Sequence, residues 1–200
     1  MSELKILKID ADWLEVKNEC RTTVNKEDSN VLPTKKFIED VLISEHSPIR
    51  LVRVKWRWEG IKSWVSVHFA RHWLGWDKFI STQRTDRTGV DRNKSTQDTP
   101  VNMDVNANPQ ALINVSRFRL CYGCASKETR EEMEKLKCKI KDEGQEEIAF
   151  VMQRNCIYRC GCPEFKPCPY WESFCKQHSD ENLLDIRTRY RLADEEFYKN

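Results

Sequence analysis

From Arg50 to Glu59 the side chains alternate without a break: Val52, Val54, Trp56 and Trp58 point one way, while Arg53, Lys55, Arg57 and Glu59 point the other. A period of two marks a β-strand with one buried and one solvated face. Such a strand needs sheet neighbours and a covering layer over its apolar side. The core of this chain must therefore be built on a sheet. Its 200 residues, 39% hydrophobic and 33% charged, can bury one sizeable core, and one domain is expected. Lys and Arg total 34 against 32 Asp and Glu, so the net charge of +2 creates no global field that would draw nucleic acid or a membrane. Any anionic ligand must be held by a local cluster. No run reaches the roughly 18 apolar residues of a membrane-spanning helix, and MSELKILKID lacks the apolar stretch of a signal peptide, so a cytoplasmic protein is expected. In that setting the nine cysteines read as thiols or metal ligands.

Leu4 to Ile9 reads as a second strand, and Ala11 to Cys20 as a helix with Trp13, Leu14 and Val16 near one face. After a polar loop at 25–30, Leu32-Pro33-Thr34 opens a helix whose buried stripe is Phe37, Ile38, Val41 and Leu42, closed by Ser47-Pro48. Gly60 interrupts the long alternation. Ile61, Trp64, Val65, His68, Phe69 and His72 then trace one face of a helix running to about Leu74. Residues 84–108 are rich in Asp, Asn, Thr, Arg and Gln and read as a long loop. Helices are expected from Asn108-Pro109, with Leu112, Ile113 and Val115 inside, from Ala125 to Glu143, and from about Glu181 to Tyr198. The tryptophans at 56, 58, 64, 73 and 76 are expected in the core. The expected class is α/β or α+β, with a small mixed or antiparallel sheet and packed helices. Residues 1–155 form its domain, and 156–200 form a Cys-rich segment and C-terminal helix packed on that domain.

Arg71-His72, with Ser81 ten residues after Arg71, resembles the signature of flavin-dependent thymidylate synthases, Arg-His-Arg followed seven residues later by Ser. Three other pieces in the same order support the resemblance. They are the N-terminal strand and helix ending in Arg21, His46-Ser47-Pro48, and the stretch Asn108, Asn114, Arg119 and Ala125 to Arg130. Trp73 stands where the signature has its second Arg, and Lys78-Phe79 where the family has Asn-Glu. Together the pieces span about three-quarters of the chain. The resemblance implies that His68, Arg71, Ser81, Gln83, Arg84 and Arg92 contact the nucleotide, and that Arg71, His72, Asn108 and Asn114 contact FAD. Arg119 would face the uracil ring as the catalytic residue. It further implies reductive methylation of dUMP to dTMP with methylenetetrahydrofolate and NADPH, in a homotetramer whose subunits share active sites. Two alternatives stand beside it: a nucleotide- or flavin-binding relative without catalysis, and a zinc-stabilised interaction module.

Side-chain chemistry supports the same assignment. A phosphate needs a guanidinium fork and hydroxyl donors, which Arg71, Ser81 and Arg84 offer. Charge developing on a pyrimidine needs a positioned cation, a role suited to Arg119. His68 and His72 have the i, i+4 spacing of a metal pair, but no Glu follows the first and no third ligand is evident. Cys156, Cys160, Cys162 and Cys168 are the expected ligands of a structural zinc, with Cys121-x-x-Cys124 upstream as a further source of thiolates; the alternative is free, partly buried thiols.

Overall fold

The alternating segment forms the strand β2, Arg53–Lys62, next to the edge of a four-stranded antiparallel sheet ordered β1-β2-β4-β3. The computed structural model describes residues 2–199. β1 is Glu3–Asp10, β3 is Trp76–Ile80 and β4 is Pro100–Ala107. Register puts Leu4 and Met103 on either side of Trp58, and Ile6 and Val105 on either side of Trp56. Apolar residues therefore share one face. Trp56 packs edge-on against Trp58 at 5.4 Å and against Trp76 at 5.1 Å, and Phe69 stacks on Trp58 at 4.6 Å. Each fully buried aromatic of this kind stabilises the fold by roughly 1.5–3 kcal/mol. The opposite face stays wet and is laced by charge, as where Arg57 donates twice to Asp104.

The structure departs from expectation at three places. Gly60 does not end the strand: its φ of +69° fits a bulge between Trp58 and Ile61, and pairing resumes beyond it. The helix that follows, α3, covers only Ser63–Ala70 and stops short of Leu74. Within the expected loop 84–108, residues 100–107 are a central strand, because Val101, Met103, Val105 and Ala107 alternate into the core between Asn102, Asp104 and Asn106. Trp56, Trp58 and Trp76 are buried as expected; Trp73 is 72% exposed.

Helices α1 (Trp13–Thr22) and α2 (Lys35–Ile43) are capped by the side chains of Asp12 and Thr34. A short helix, α4, spans Thr85–Thr88. α5 (Pro109–Arg119) starts at Asn108, whose Oδ1 accepts from Ala111 N at 2.9 Å, and α6 (Lys127–Asp142) starts at Ser126. Four more helices follow: α7 (Glu146–Val151), α8 (Asn155–Arg159), α9 (Tyr170–Gln177) and α10 (Ile186–Lys199). Tyr190, Leu192 and Ala193 of α10 join the same core as Leu42 and Leu136, and the fully buried Lys137 of α6 pairs with Asp194 at 2.7 Å. Among the described residues no helix is long and apolar enough to cross a membrane.

Candidate active site

Asn108 fixes the geometry of the site from below. Its backbone N donates to Gly75 O at 3.1 Å, and its carboxamide lies against Gly75, where a Cβ would sit 2.5 Å from Nδ2. Only glycine fits there at φ +65°. This clamp seats the start of α5 beside the turn 71–75, so that Asn114 comes to the cleft with Arg71 and His72, and Arg119 meets the end of α3.

At that meeting Arg119 donates from Nε to His72 Nε2 at 3.0 Å and from a terminal nitrogen to His68 O at 2.8 Å. His72 thus accepts and carries its own proton on Nδ1. Burial, helped by the charges of Arg119 and Lys78, pushes the His72 pKa down to about 4. His68 is lowered for like reasons, first by burial and then by Arg119 and Arg71, and its Nδ1 lies 2.8 Å from Thr129 Oγ1 on α6. Lys78 Nζ donates to His72 O at 2.7 Å. Among the described residues no carboxylate pairs with Arg71, Lys78 or Arg119. Three cations thus lie beside His68 and His72, and the cluster suits an anionic ligand.

The cluster borders a cleft of about 150 Å³ lined by Arg71, His72, Trp73, Leu74 and Asn114. That is below the roughly 300–1,000 Å³ of a typical ligand pocket, so the cleft within one chain is too small to enclose a nucleotide or a flavin. A larger groove of about 1100 Å³ lies between β1, β2 and α6, but Glu3, Glu128, Glu131, Glu132 and Asp142 line it and disfavour a phosphate.

Of the residues singled out in the sequence, His68, Arg71, His72, Asn114 and Arg119 come together here. Asn108 is 7% exposed and its carboxamide oxygen caps α5. Ser81 extends the ladder instead of facing the cations, since its N donates to Asn102 O and its Oγ accepts from Asn102 N, both at 2.9 Å. Arg84 forks onto Asp86, Arg92 is exposed at the start of a 3-10 turn (Arg92–Lys94), and Gln83 has a buried Nε2 without a partner. No hydrogen bond ties these four to the cluster. Lys78 and Thr129 belong to the site but were missed as ligands. Lys78 stood in the sequence only as a departure from a motif, and nothing along the chain puts Thr129 beside His68.

The expected zinc ligands Cys156, Cys160, Cys162 and Cys168 do not gather into one close donor group among the described residues. Cys160 donates its thiol to Leu183 O at 3.3 Å, much as Cys124 donates to Phe118 O at 3.1 Å. The donors that lie together are instead Cys121, Cys124 and Glu164, whose ligand atoms are all within 4.8 Å of one another. Within this group the hydrogen bond between the two thiols pushes Cys121 down, to about 6, and Cys124 up.

No protein-family model matches the chain, and no curated protein matches it. Solved structures do. A UMP/dUMP methylase, PolB, from Streptomyces cacaoi bound with 5-Br dUMP superposes with a TM-score of 0.60 at 13% identity, covering 76% of this chain and 95% of its own. Thymidylate synthase X from Helicobacter pylori with FAD and dUMP gives 0.58 at 11% identity, over 77% of this chain and 100% of its own. A second structure of that flavin-dependent enzyme gives 0.58 at 10% identity, over 72% and 96%. The chain therefore has the fold of the flavin-dependent thymidylate synthases, shared with the UMP/dUMP methylase.

Proposed function

We propose that the protein is a divergent, cytoplasmic flavin-dependent thymidylate synthase that converts dUMP to dTMP with methylenetetrahydrofolate and NADPH. Residues 1–155 form its catalytic domain, and the Cys-rich segment 156–200 packs on that domain. The observation that carries this reading is the acid-free cluster of Arg71, Lys78 and Arg119 around His72, on a fold whose solved examples hold FAD and dUMP.

The donor set fits an anionic nucleotide and a flavin cofactor. Arg71 is exposed at the cleft and offers a free guanidinium fork to a phosphate, and Asn114 offers its amide nitrogen. Arg119 is held in place by His72 and by His68 O, so its charge is already oriented for a pyrimidine ring that turns negative during reaction. Ser81, Gln83, Arg84 and Arg92 would reach the nucleotide from the 81–92 segment. FAD, when bound, supplies the hydride that reduces the transferred one-carbon group. Trp73 and Leu74, exposed at 72% and 67%, line the cleft and would be covered by a neighbouring subunit that completes the site. We infer a homotetramer on that ground.

One observation favours a second reading, a relative that binds nucleotide or flavin without methylation. Trp73 and Phe79, which replace a charged pair of the family signature, lie exposed and offer no charge to substrate. The visible spectrum of the purified protein, followed by NADPH oxidation with and without dUMP, separates the readings. The synthase reading requires bound flavin and oxidation that depends on dUMP. Flavin without dUMP-dependent oxidation supports the binder, and colourless protein that takes up neither FAD nor dUMP defeats both.

A further inference from the structure

The turn joining α5 to α6 carries Cys121 and Cys124, and its backbone closes through Ala125 N donating to Cys121 O at 3.2 Å. The closure turns both thiols to one side, where Glu164 from the Cys- and Pro-rich segment brings a carboxylate oxygen; the three ligand atoms all lie within 4.8 Å of one another. That segment packs against Gly123. A Cβ at Gly123 would meet Cys168 Cβ at 3.6 Å and Sγ at 3.9 Å, and Cys121 Sγ lies 4.0 Å from the same point. Four donors from two distant stretches of sequence thus converge on one turn.

Zn–S bonds of 2.3 Å place tetrahedral sulfurs roughly 3.8 Å apart, so the three near donors need a contraction of about 1 Å or less, and Cys168 a rotation of its side chain. We propose that Cys121, Cys124, Glu164 and Cys168 form a structural zinc site. On binding, each thiol releases its proton to solvent and the thiolate coordinates the metal. Cationic side chains balance the acidic ligand set: Arg154 donates to Leu120 O at 3.0 Å and to Tyr122 Oη at 2.9 Å, and Arg130 sits over the Tyr122 ring at 4.6 Å.

The position of this turn gives the metal its use. Immediately before it stands Arg119, and α6 beyond it supplies Thr129 to His68. Zinc would fasten the 164–168 segment to the turn that sets both, and it would do so whatever reaction the cleft performs.

The test uses the full chain, purified without chelator and then titrated with Zn(II) alone, and in parallel with Co(II). About one zinc per chain is expected, with the visible absorption of a tetrahedral Co(II) thiolate. Cys124→Ser and Cys168→Ser, both outside the core, should abolish stoichiometric zinc and the Co(II) bands, and Glu164→Ala should weaken them. Cys160→Ser and Cys175→Ser should keep them. Circular dichroism identifies any variant that fails to fold, and the remaining variants then decide. The proposal is overturned if wild type takes up no zinc even after any Cys121–Cys124 disulfide has been reduced, or if stoichiometric zinc survives in Cys124→Ser and Cys168→Ser.

Discussion

Arg119 Nε lies 3.0 Å from His72 Nε2, so a permanently charged guanidinium donates to an imidazole that must stay neutral to accept. The same arginine reaches His68 O, and through these two bonds α5 and the end of α3 hold one cation at a fixed angle. Arg119→Lys would keep the charge but lose the fork, since one ammonium cannot reproduce this pair of contacts with the same geometry. Turnover should fall by on the order of 100-fold or more, while flavin retention changes far less. Stopped-flow oxidation of NADPH-reduced flavin with dUMP, beside the flavin-to-protein absorbance ratio, measures both. Full turnover in the lysine variant would remove Arg119 from the chemistry.

The pH dependence of stability follows from His72. Its folded pKa of about 4 lies below the usual 6.5, so as pH falls the unfolded chain takes up the proton first. The contribution of His72 is therefore complete above about pH 6.5 and is lost progressively toward pH 4, with His68 adding in the same direction. Urea midpoints at pH 7 and pH 5 should drop more for wild type than for His72→Asn. Equal drops would show that the imidazole is not held neutral.

The strand that opened the sequence reading and the capped helices α1, α2, α5 and α6 were legible because each buries a regular stripe behind a recognisable cap. β4 was not. Its apolar residues Val101, Met103, Val105 and Ala107 alternate cleanly, but Asn102, Asp104 and Asn106 between them continue the polar composition of residues 84–99 and mask the period. β3, five residues long with Lys78 in its middle, is too short to announce itself. At the site, spacing along the chain picked out Arg71, His72, Asn114 and Arg119, whereas Thr129 and Glu164 join their partners only across the fold, and Lys78 reaches back six residues to His72 O from the short strand β3.

Gly75 and Gly89 separate two effects of adding a side chain. Both have positive φ, +65° and +71°, but a Cβ at Gly75 collides with the Asn108 carboxamide and one at Gly89 meets nothing within 4 Å. Gly89→Ala should cost about 1 kcal/mol of left-handed strain, and Gly75→Ala at least 2–3 kcal/mol because the α5 clamp must shift as well. Equal losses in chemical denaturation would contradict the clamp.

Asn108 and Asn114 should likewise part company. Asn108→Ala removes a helix cap and should cost about 1 kcal/mol of stability. Asn114→Ala leaves the cap intact and should release flavin at a stability close to wild type. Differential scanning fluorimetry with and without added FAD distinguishes them, and a large loss of stability in Asn114→Ala would make that residue structural.

If the cleft is closed by neighbouring chains, light scattering at micromolar concentration should give a tetramer. Trp73→Glu, which puts charge on an exposed apolar face, should shift the protein toward smaller species and lose flavin with them. A monomer that retains flavin would contradict the shared site.

The most direct measurement is product formation: purified protein with FAD, NADPH, methylenetetrahydrofolate and dUMP, analysed for dTMP by liquid chromatography and mass spectrometry. The proposed function requires dTMP that appears only when all four are present and that falls sharply in Arg119→Lys. Absence of dTMP from flavin-loaded wild type under these conditions would contradict it.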